Sequence, residues 1–310
     1  MISLIIPTRN RLHTLQIVID SFYNLRHVSE IIFVVDASHD GTKEFLQKIS
    51  FHYSRKVTKI IFYESRKGAA ACRMRGIAEA CNNYILFCDD DLFLEADYDE
   101  VCLELLLTSS ASIVSGRHIF RLPGQAPAEA VTHFGNGLSR RAPFNRHLCL
   151  FADDAYYEGD LNLPLTNSCI LTTRQLLTKF GFDPYYRRGN GYREESDFQM
   201  NAFVNGHVII ATNRTHAIHL HRSEVRCGGA RTNRLKNFYW AARHTQYFYK
   251  KYWDRYAKLV GIKISRRTAL ILFTVHYAYT LFLRPIGRLC LREPLRTPAV
   301  PSAMRHTGQV

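Results

Sequence analysis

The stretch Tyr84-Ile85-Leu86-Phe87-Cys88-Asp89-Asp90-Asp91-Leu92-Phe93 sets an apolar run directly against three adjacent carboxylates. The run is short and continuous, so residues 84–88 read as a strand buried on both faces. Neighbouring aspartates repel one another unless a cation or good donors offset them. The acidic end is therefore either a solvated turn or a place where positive charge is wanted. Working back along the chain, residues 57–63 read as a strand and 69–81 as a helix. Residues 30–36 and 42–49 repeat that pair. Residues 3–7 form a first strand, with helical spacing at Leu12, Leu15, Ile19 and Phe22 behind it. This β-α-β-α-β-α-β order predicts an α/β fold with a mostly parallel central sheet flanked by helices. Ligands in such sheets gather at the carboxyl ends of the strands. Thr8, Arg9 and Asn10 follow the first strand, Asp36 ends the second and Asp89–Asp91 end the fourth, so the topology brings them to one edge.

The middle of the chain is less regular. Residues 116–165 hold Pro123, Pro127, Pro143 and Pro164 and read as loops and short strands lining a cleft. Residues 167–172 read as a strand, 173–180 as a short helix, 194–204 as a helix and 208–211 as a strand. The segment Gly189-Asn190-Gly191-Tyr192-Arg193-Glu194-Glu195-Ser196-Asp197 places carboxylates behind two glycines at a helix start, where an ionised acid is favoured; these acids are either caps or catalytic groups. After the 208–211 strand come His216, His219 and His221. If the strand continued, His219 and His221 would share a face, and imidazole is a common metal ligand. A pair of surface histidines is the alternative.

The chain of 310 residues carries a formal charge of +14, and the charge is one-ended. From Arg222 onward there are 18 Lys and Arg against 3 Asp and Glu. Hydrophobic content of 46% and charged content of 22% exclude global disorder. A basic end seeks an anionic partner; with no nucleic-acid-binding motif beside it, a membrane surface is expected and nucleic acid is not. Residues 235–260 mix nine aromatic side chains with lysines and arginines, and 268–283 run sixteen residues without a charge. That is short of the roughly 20 needed to span a bilayer and suits an interfacial helix; packing against the preceding domain is the alternative. The eight cysteines are scattered without a CxxC pair and read as reduced core thiols. The opening Met1-Ile2-Ser3-Leu4-Ile5-Ile6-Pro7 lacks a signal-peptide pattern, so a cytoplasmic location is expected.

Taken in order, Ser3-Leu4-Ile5-Ile6-Pro7-Thr8-Arg9-Asn10, Val35-Asp36-Ala37-Ser38-His39-Asp40-Gly41-Thr42 and Asp89-Asp90-Asp91 resemble glycosyltransferase family 2, and the resemblance extends to about residue 221. It implies a GT-A catalytic domain over 1–225, with a nucleotide-binding half to about 115 and an acceptor half over 116–225. A basic, aromatic, helical extension would occupy 226–310. The resemblance further implies an inverting, metal-dependent hexosyltransferase acting in polysaccharide or glycoconjugate synthesis. A sugar, most commonly from a UDP-sugar among nucleoside-diphosphate donors, would pass to a hydroxyl of a saccharide or lipid-linked acceptor, with Mn²⁺ or Mg²⁺ as cofactor. The enzyme would sit peripherally at the inner face of the cell membrane, against an anionic surface.

Carried over residue by residue, Asp36 would bind the base, and Asp89 or Asp90 the nucleotide or sugar. Asp91 would bind the metal together with His221, with His219 close behind. Pro7, Thr8 and Arg9 fall in the donor site, as do Arg66 and Arg73 of Arg66-Lys67-Gly68-Ala69-Ala70-Ala71-Cys72-Arg73, whose basic side chains would meet phosphates or the donor sugar. Glu195 would be the catalytic base and Glu194 its rival. Two departures stand out: Ala37 where the family usually has glycine, and Glu195 where aspartate is usual. The alternatives are an inactive GT-A binding or scaffold subunit and a nucleotidyltransferase. The latter usually shows a glycine-rich basic signature after strand one, which Thr8-Arg9-Asn10-Arg11 lacks.

Overall fold

The computed structural model describes residues 1–53, 55–134, 142–153, 155–227 and 233–283. The first half follows the expected alternation: β1 (Ile2–Thr8), α1 (Leu12–Tyr23), β2 (Val28–Asp36), α2 (Thr42–His52), β3 (Val57–Tyr63), α3 (Ala69–Glu79) and β4 (Tyr84–Phe87). Then come β5 (Leu92–Leu94), α4 (Tyr98–Thr108), β6 (Ala111–Phe120) and α5 (Pro127–Phe134). A hairpin of β7 (Phe144–Asn145) and β8 (Leu150–Phe151) precedes β9 (Asp160–Asn162), β10 (Leu171–Thr173), α6 (Arg174–Phe180), α7 (Glu194–Val204) and β11 (Val208–His219). The chain ends in α8 (Arg234–Val260) and α9 (Arg266–Ala278).

The main sheet runs in the order β3-β2-β1-β4-β10-β6-β11-β5, with β9 on β11. β1 is parallel to β2 and β4, and β2 to β3. β10 runs antiparallel to both β4 and β6, so β6 points the same way as β4; β11 is parallel to β6. The carboxyl ends of β1, β2, β4, β6 and β11 therefore meet at one edge. Two apolar cores cover the sheet faces: Leu4, Ile6, Phe22 and Phe33 belong to one, and Ile5, Val34, Phe87 and Phe198 to the other.

Several segments depart from the sequence reading: residues 127–134, read as loops and short strands, form α5, and the strand expected over 167–172 is only Leu171–Thr173. Residues 116–120 are not loop but the continuation of β6, and β11 runs on through His219 well past residue 211. Both were masked by polar residues inside buried strands. Arg117, for example, is buried because its Nε–H donates to the Ala155 carbonyl at 2.9 Å.

The aromatic stretch 235–260 is α8, and much of it is core. Phe248, Tyr249, Tyr252, Trp253 and Tyr256 pack with Leu165, Met200 and Val204 in a third cluster, joined by Phe273 of α9. Burying an aromatic side chain contributes about 1.5–3 kcal/mol relative to leaving it in water. A buried polar knot reinforces the seam: Asp197 of α7 accepts from Lys251 Nζ at 2.7 Å, Tyr252 at 3.0 Å and Tyr186 at 2.9 Å. The C-terminal helices are thus built onto α7. Among the described residues no helix is long and apolar enough to cross a membrane.

Candidate active site

The sheet edge opens into a cleft of about 1380 Å³. It is bounded by the loops after β1, β2 and β4, by the start of α7, by residues of α8, and by Thr280 and Leu281 just after α9. At the end of β2, Ala37 follows Asp36 with φ +53, a left-handed backbone that non-glycine residues seldom take. This turn explains why glycine is usual there. The Asp36 carboxylate accepts from the Lys67 N–H at 2.6 Å and the Gly68 N–H at 3.0 Å. Gly68 is required: its φ is +90, and a Cβ would lie 3.1 Å from the Arg187 carbonyl oxygen. Asn10 laces the first two loops, donating its N–H to Ser38 Oγ at 2.9 Å and accepting the His39 N–H at 2.8 Å. Pro7, Thr8, Arg9 and Arg66 line the same wall.

The centre of the cleft is one buried guanidinium. Arg73, on α3, pairs with Asp89 Oδ1 at 3.2 Å, with Glu195 Oε1 at 2.7 Å and, more closely still, with Glu194 Oε1. Burial alone would lower its pKa, but the three carboxylates outweigh that and hold it raised. Arg73 lines the cleft, where the sequence reading sets it against the donor, and it also gathers the acids, because three converging carboxylates require a cation between them. Glu194 is only 2% exposed and burial pushes it up to about 8, Arg73 countering incompletely. Glu195 is 27% exposed and faces the cleft. The α7 start that presents both acids is held by Arg193, whose φ is +74 and whose guanidinium donates to the Leu148 and Cys149 carbonyls.

The aspartate triplet divides by partner. Burial tends to raise Asp89, but Arg73 and the Ser168 hydroxyl, donating at 2.8 Å, keep it below the usual carboxylate range. Asp90 is pushed up to about 7 by burial, with Arg11 opposing and Asp91 adding to the rise. Arg11 was not foreseen as a site residue: its Nε lies 3.6 Å from Asp90 and its Nη1 3.3 Å from Asp91. Its position three residues past the end of β1 was the available signal.

The histidines require a correction. β11 ends at His219, the Leu220 N–H turns back to the Asp91 carbonyl, and His221 begins a turn in which its N–H donates to Glu224 Oε2 at 2.9 Å. His219 and His221 therefore do not share a strand face. His219 Nε2 lies 3.6 Å from Asp91 Oδ1, whereas His221 has its Nδ1 engaged with Ser223 Oγ at 2.7 Å and lies outside the cleft lining. A second histidine in the cleft, His118 of β6, had no sequence signal beyond a polar residue in an irregular stretch. Burial drives its pKa down to about 3, with His219 adding to the fall and Asp89 opposing it. Arg222 also lines the cleft, and Cys227 Sγ lies 2.9 Å from the Asn10 carbonyl. The sequence also offers 222–231, with glycines at 228 and 229, as a loop able to close over a diphosphate; residues 228–232 lie outside the described residues.

The donor set fits a divalent cation in one particular way. Among the described residues no three His, Cys, Asp or Glu side chains are grouped closely enough to cage an ion. Asp91 and His219 offer one oxygen and one nitrogen donor on one side, so a divalent cation there would need further oxygen ligands from outside the protein to complete its shell.

A model of the family Glycosyl transferase family 2 matches residues 3–177, more than half the chain. The chain belongs to glycosyl transferase family 2. Its relatives include the teichuronic acid biosynthesis glycosyltransferase TuaG of Bacillus subtilis (strain 168), 28% identical over 191 residues, which cover 60% of this chain and 75% of TuaG. Among solved structures, S. aureus TarS 1–349 in complex with UDP-GlcNAc superposes with a TM-score of 0.60 at 12% identity, over 94% of this chain and 76% of that one. The mannosyltransferase PcManGT of Pyrobaculum calidifontis, in complex with GDP-Man and Mn²⁺, gives 0.58 at 14% identity, over 93% and 78%. At these identities the structures establish the GT-A fold, and the family-2 membership makes this chain a glycosyltransferase.

Proposed function

We propose that the protein is an inverting glycosyltransferase that moves a sugar from a nucleoside-diphosphate donor to a hydroxyl of a saccharide or lipid-linked acceptor in cell-surface polysaccharide or glycoconjugate synthesis. The observation that carries this is the Arg73 hub: Asp89, from the donor side, and Glu195, from the acceptor side, touch one guanidinium at 3.2 and 2.7 Å. A donor carboxylate and a base so placed suit a single displacement. The acceptor oxygen attacks the anomeric carbon, its proton passes to Glu195, and the bond to the β-phosphate breaks with its electron pair leaving on the diphosphate. Asp91 and His219 would hold a divalent cation, Mn²⁺ or Mg²⁺, which would neutralise charge on the departing diphosphate. The complexes of neighbouring structures with UDP-GlcNAc and with GDP-Man and Mn²⁺ support a nucleotide-sugar donor and a metal. Glu195 is favoured over Glu194 because it reaches solvent, whereas Glu194 is closed in behind Arg73.

The same reading places the enzyme at the inner membrane face. α9 leaves Ile271, Leu272 and Val275 exposed behind Arg266 and Arg267 at its start, a basic-then-apolar surface suited to anionic lipid. If the full chain ignored anionic liposomes at low salt, the membrane assignment would be dropped.

The test is calorimetric titration of UDP-, GDP-, dTDP- and CDP-sugars with Mn²⁺ or with EDTA, on the wild type and Asp91→Ala. Metal-dependent binding of one donor, lost in the variant, is expected. Glu195→Gln is expected to keep donor affinity and lose about 10²–10⁴ in kcat. Donor binding without hydrolysis or transfer by the wild type would point to an inactive binding subunit; no donor binding at all would overturn the assignment.

A further inference from the structure

We infer that Arg11 is a built-in counter-cation to Asp90 and Asp91. Its charge keeps the metal-free protein from holding a divalent cation by itself, so the cation enters together with the nucleoside diphosphate. The inference rests on the metal site proposed above and concerns the order in which that site fills. Arg11 is 7% exposed and lines the cleft. Its guanidinium reaches both carboxylates, Nε lying 3.6 Å from Asp90 Oδ1 and Nη1 3.3 Å from Asp91 Oδ2. The other Asp91 oxygen, Oδ1, faces His219 Nε2 at 3.6 Å. One oxygen of Asp91 is thus paired with a guanidinium, and the other is turned to the imidazole.

Arg11 stays charged at any working pH, whereas His219 carries charge only when protonated. The arginine is also anchored. It is the N-cap residue of α1, and its carbonyl accepts the Leu15 N–H at 2.9 Å, the Thr14 N–H at 3.1 Å and the Thr14 hydroxyl at 3.0 Å. A buried guanidinium on a fixed stem is screened by water far less than a surface one. The two arginines of the cleft divide the acids, Arg73 serving Asp89, Glu194 and Glu195 and Arg11 serving Asp90 and Asp91. A divalent cation at Asp91 Oδ1 and His219 therefore meets a carboxylate already paired and a like charge close by. Among the described residues, no group of three His, Cys, Asp or Glu side chains stands ready to cage it. A diphosphate changes the balance, because it brings oxygen ligands to the cation and negative charge to offset Arg11.

The test measures bound Mn²⁺ by electron paramagnetic resonance in the wild type, Arg11→Lys, Arg11→Met and Arg11→Met/Asp91→Ala. Each is titrated without nucleotide and with UDP, GDP, dTDP or CDP. The wild type should bind Mn²⁺ weakly alone and much more tightly with one of the diphosphates. Arg11→Met should bind Mn²⁺ without nucleotide at least about 10-fold more tightly than the wild type, because one charge removed beside the ion, at an effective dielectric of about 20, is worth more than that. Arg11→Lys keeps the charge and should stay near the wild type. The double variant should lose the gain, which ties it to Asp91. Thermal unfolding gives a second readout: Mn²⁺ alone should raise the Tm of Arg11→Met and leave that of the wild type nearly unchanged. If Arg11→Met does not fold, Arg11→Gln, which keeps a polar group for the aspartates, takes its place. Tight Mn²⁺ binding by the wild type without nucleotide would overturn the inference, as would a neutral variant with unchanged Mn²⁺ affinity. Diphosphate binding that was indifferent to EDTA would overturn the inference and the metal site together and leave the transferase assignment standing. If the wild type bound no diphosphate at all, that assignment would fall and the inference with it.

Discussion

Replacing Arg73 by methionine removes the one cation shared by Asp89, Glu194 and Glu195 while keeping most of the side-chain volume. Arg73 and Glu194 are both nearly inaccessible, at 3% and 2% side-chain exposure, so the loss is not buffered by solvent. Removing one partner of a buried ion pair costs about 3–5 kcal/mol. The cost depends on pH with a definite sign. Glu194 is held above its unfolded value of 4.5, at about 8, so its ionisation opposes folding. Its contribution is intact below about pH 4.5 and is lost as pH rises through about 8. Without Arg73 its pKa rises further, and at low pH it takes a proton that relieves the crowding. The penalty of Arg73→Met is therefore expected to be about 3–5 kcal/mol at pH 8.5 and roughly half that at pH 5.5. An unfolding entropy of about 2.1 cal/mol/K per residue makes the pH 8.5 figure a Tm loss of about 5–8 °C for a chain of this length. The assay is thermal unfolding by circular dichroism at both pH values, repeated on Arg73→Met/Glu194→Gln, which should regain much of the loss. A Tm within 1 °C or so of the wild type at pH 8.5, or an equal loss at both pH values, would refute the role assigned to Arg73.

Two further changes test the backbone around the site. Ala37 holds a left-handed conformation that costs an L-residue about 1–2 kcal/mol, partly offset by the greater freedom of an unfolded glycine. Ala37→Gly should therefore stabilise the protein by about 0.5–1 kcal/mol in chemical denaturation without altering donor binding. Gly189 has φ +78, and any Cβ there would collide with the Trp240 indole of α8. Gly189→Ala should cost roughly 2–4 kcal/mol, the sum of overpacking and backbone strain. Adding Trp240→Ala should return only the overpacking part, which denaturation of the double variant would show.

Much of this was legible in the amino-acid order. The alternation of short apolar runs with helical spacing over residues 2–87 determined the parallel β-α layout. Polar residues at Thr8, Asp36 and Asp89 marked which edge would carry chemistry, because strand ends in such a sheet coincide whatever the details of packing. Glu194 and Glu195 were visible as acids at a helix start, and the motif order identified the family.

What the sequence could not express is how charge is compensated across distant segments. Arg73 looked like a phosphate ligand because its local context is basic; only the approach of α7 to α3 shows it enclosed by three carboxylates. His118 and Arg117 disguised a buried strand as a loop, since a periodicity rule counts them as exposed, whereas in the folded chain the Ala155 carbonyl takes up Arg117 and His118 is packed into the cleft wall. The preference for His221 over His219 turned on where β11 stops, which is set by the Leu220 N–H pairing with the Asp91 carbonyl, a contact across more than a hundred residues. The aromatic tail, whose composition allowed either lipid or protein as its partner, became core in α8 because Leu165, Met200 and Val204 present an apolar surface that only the folded chain assembles.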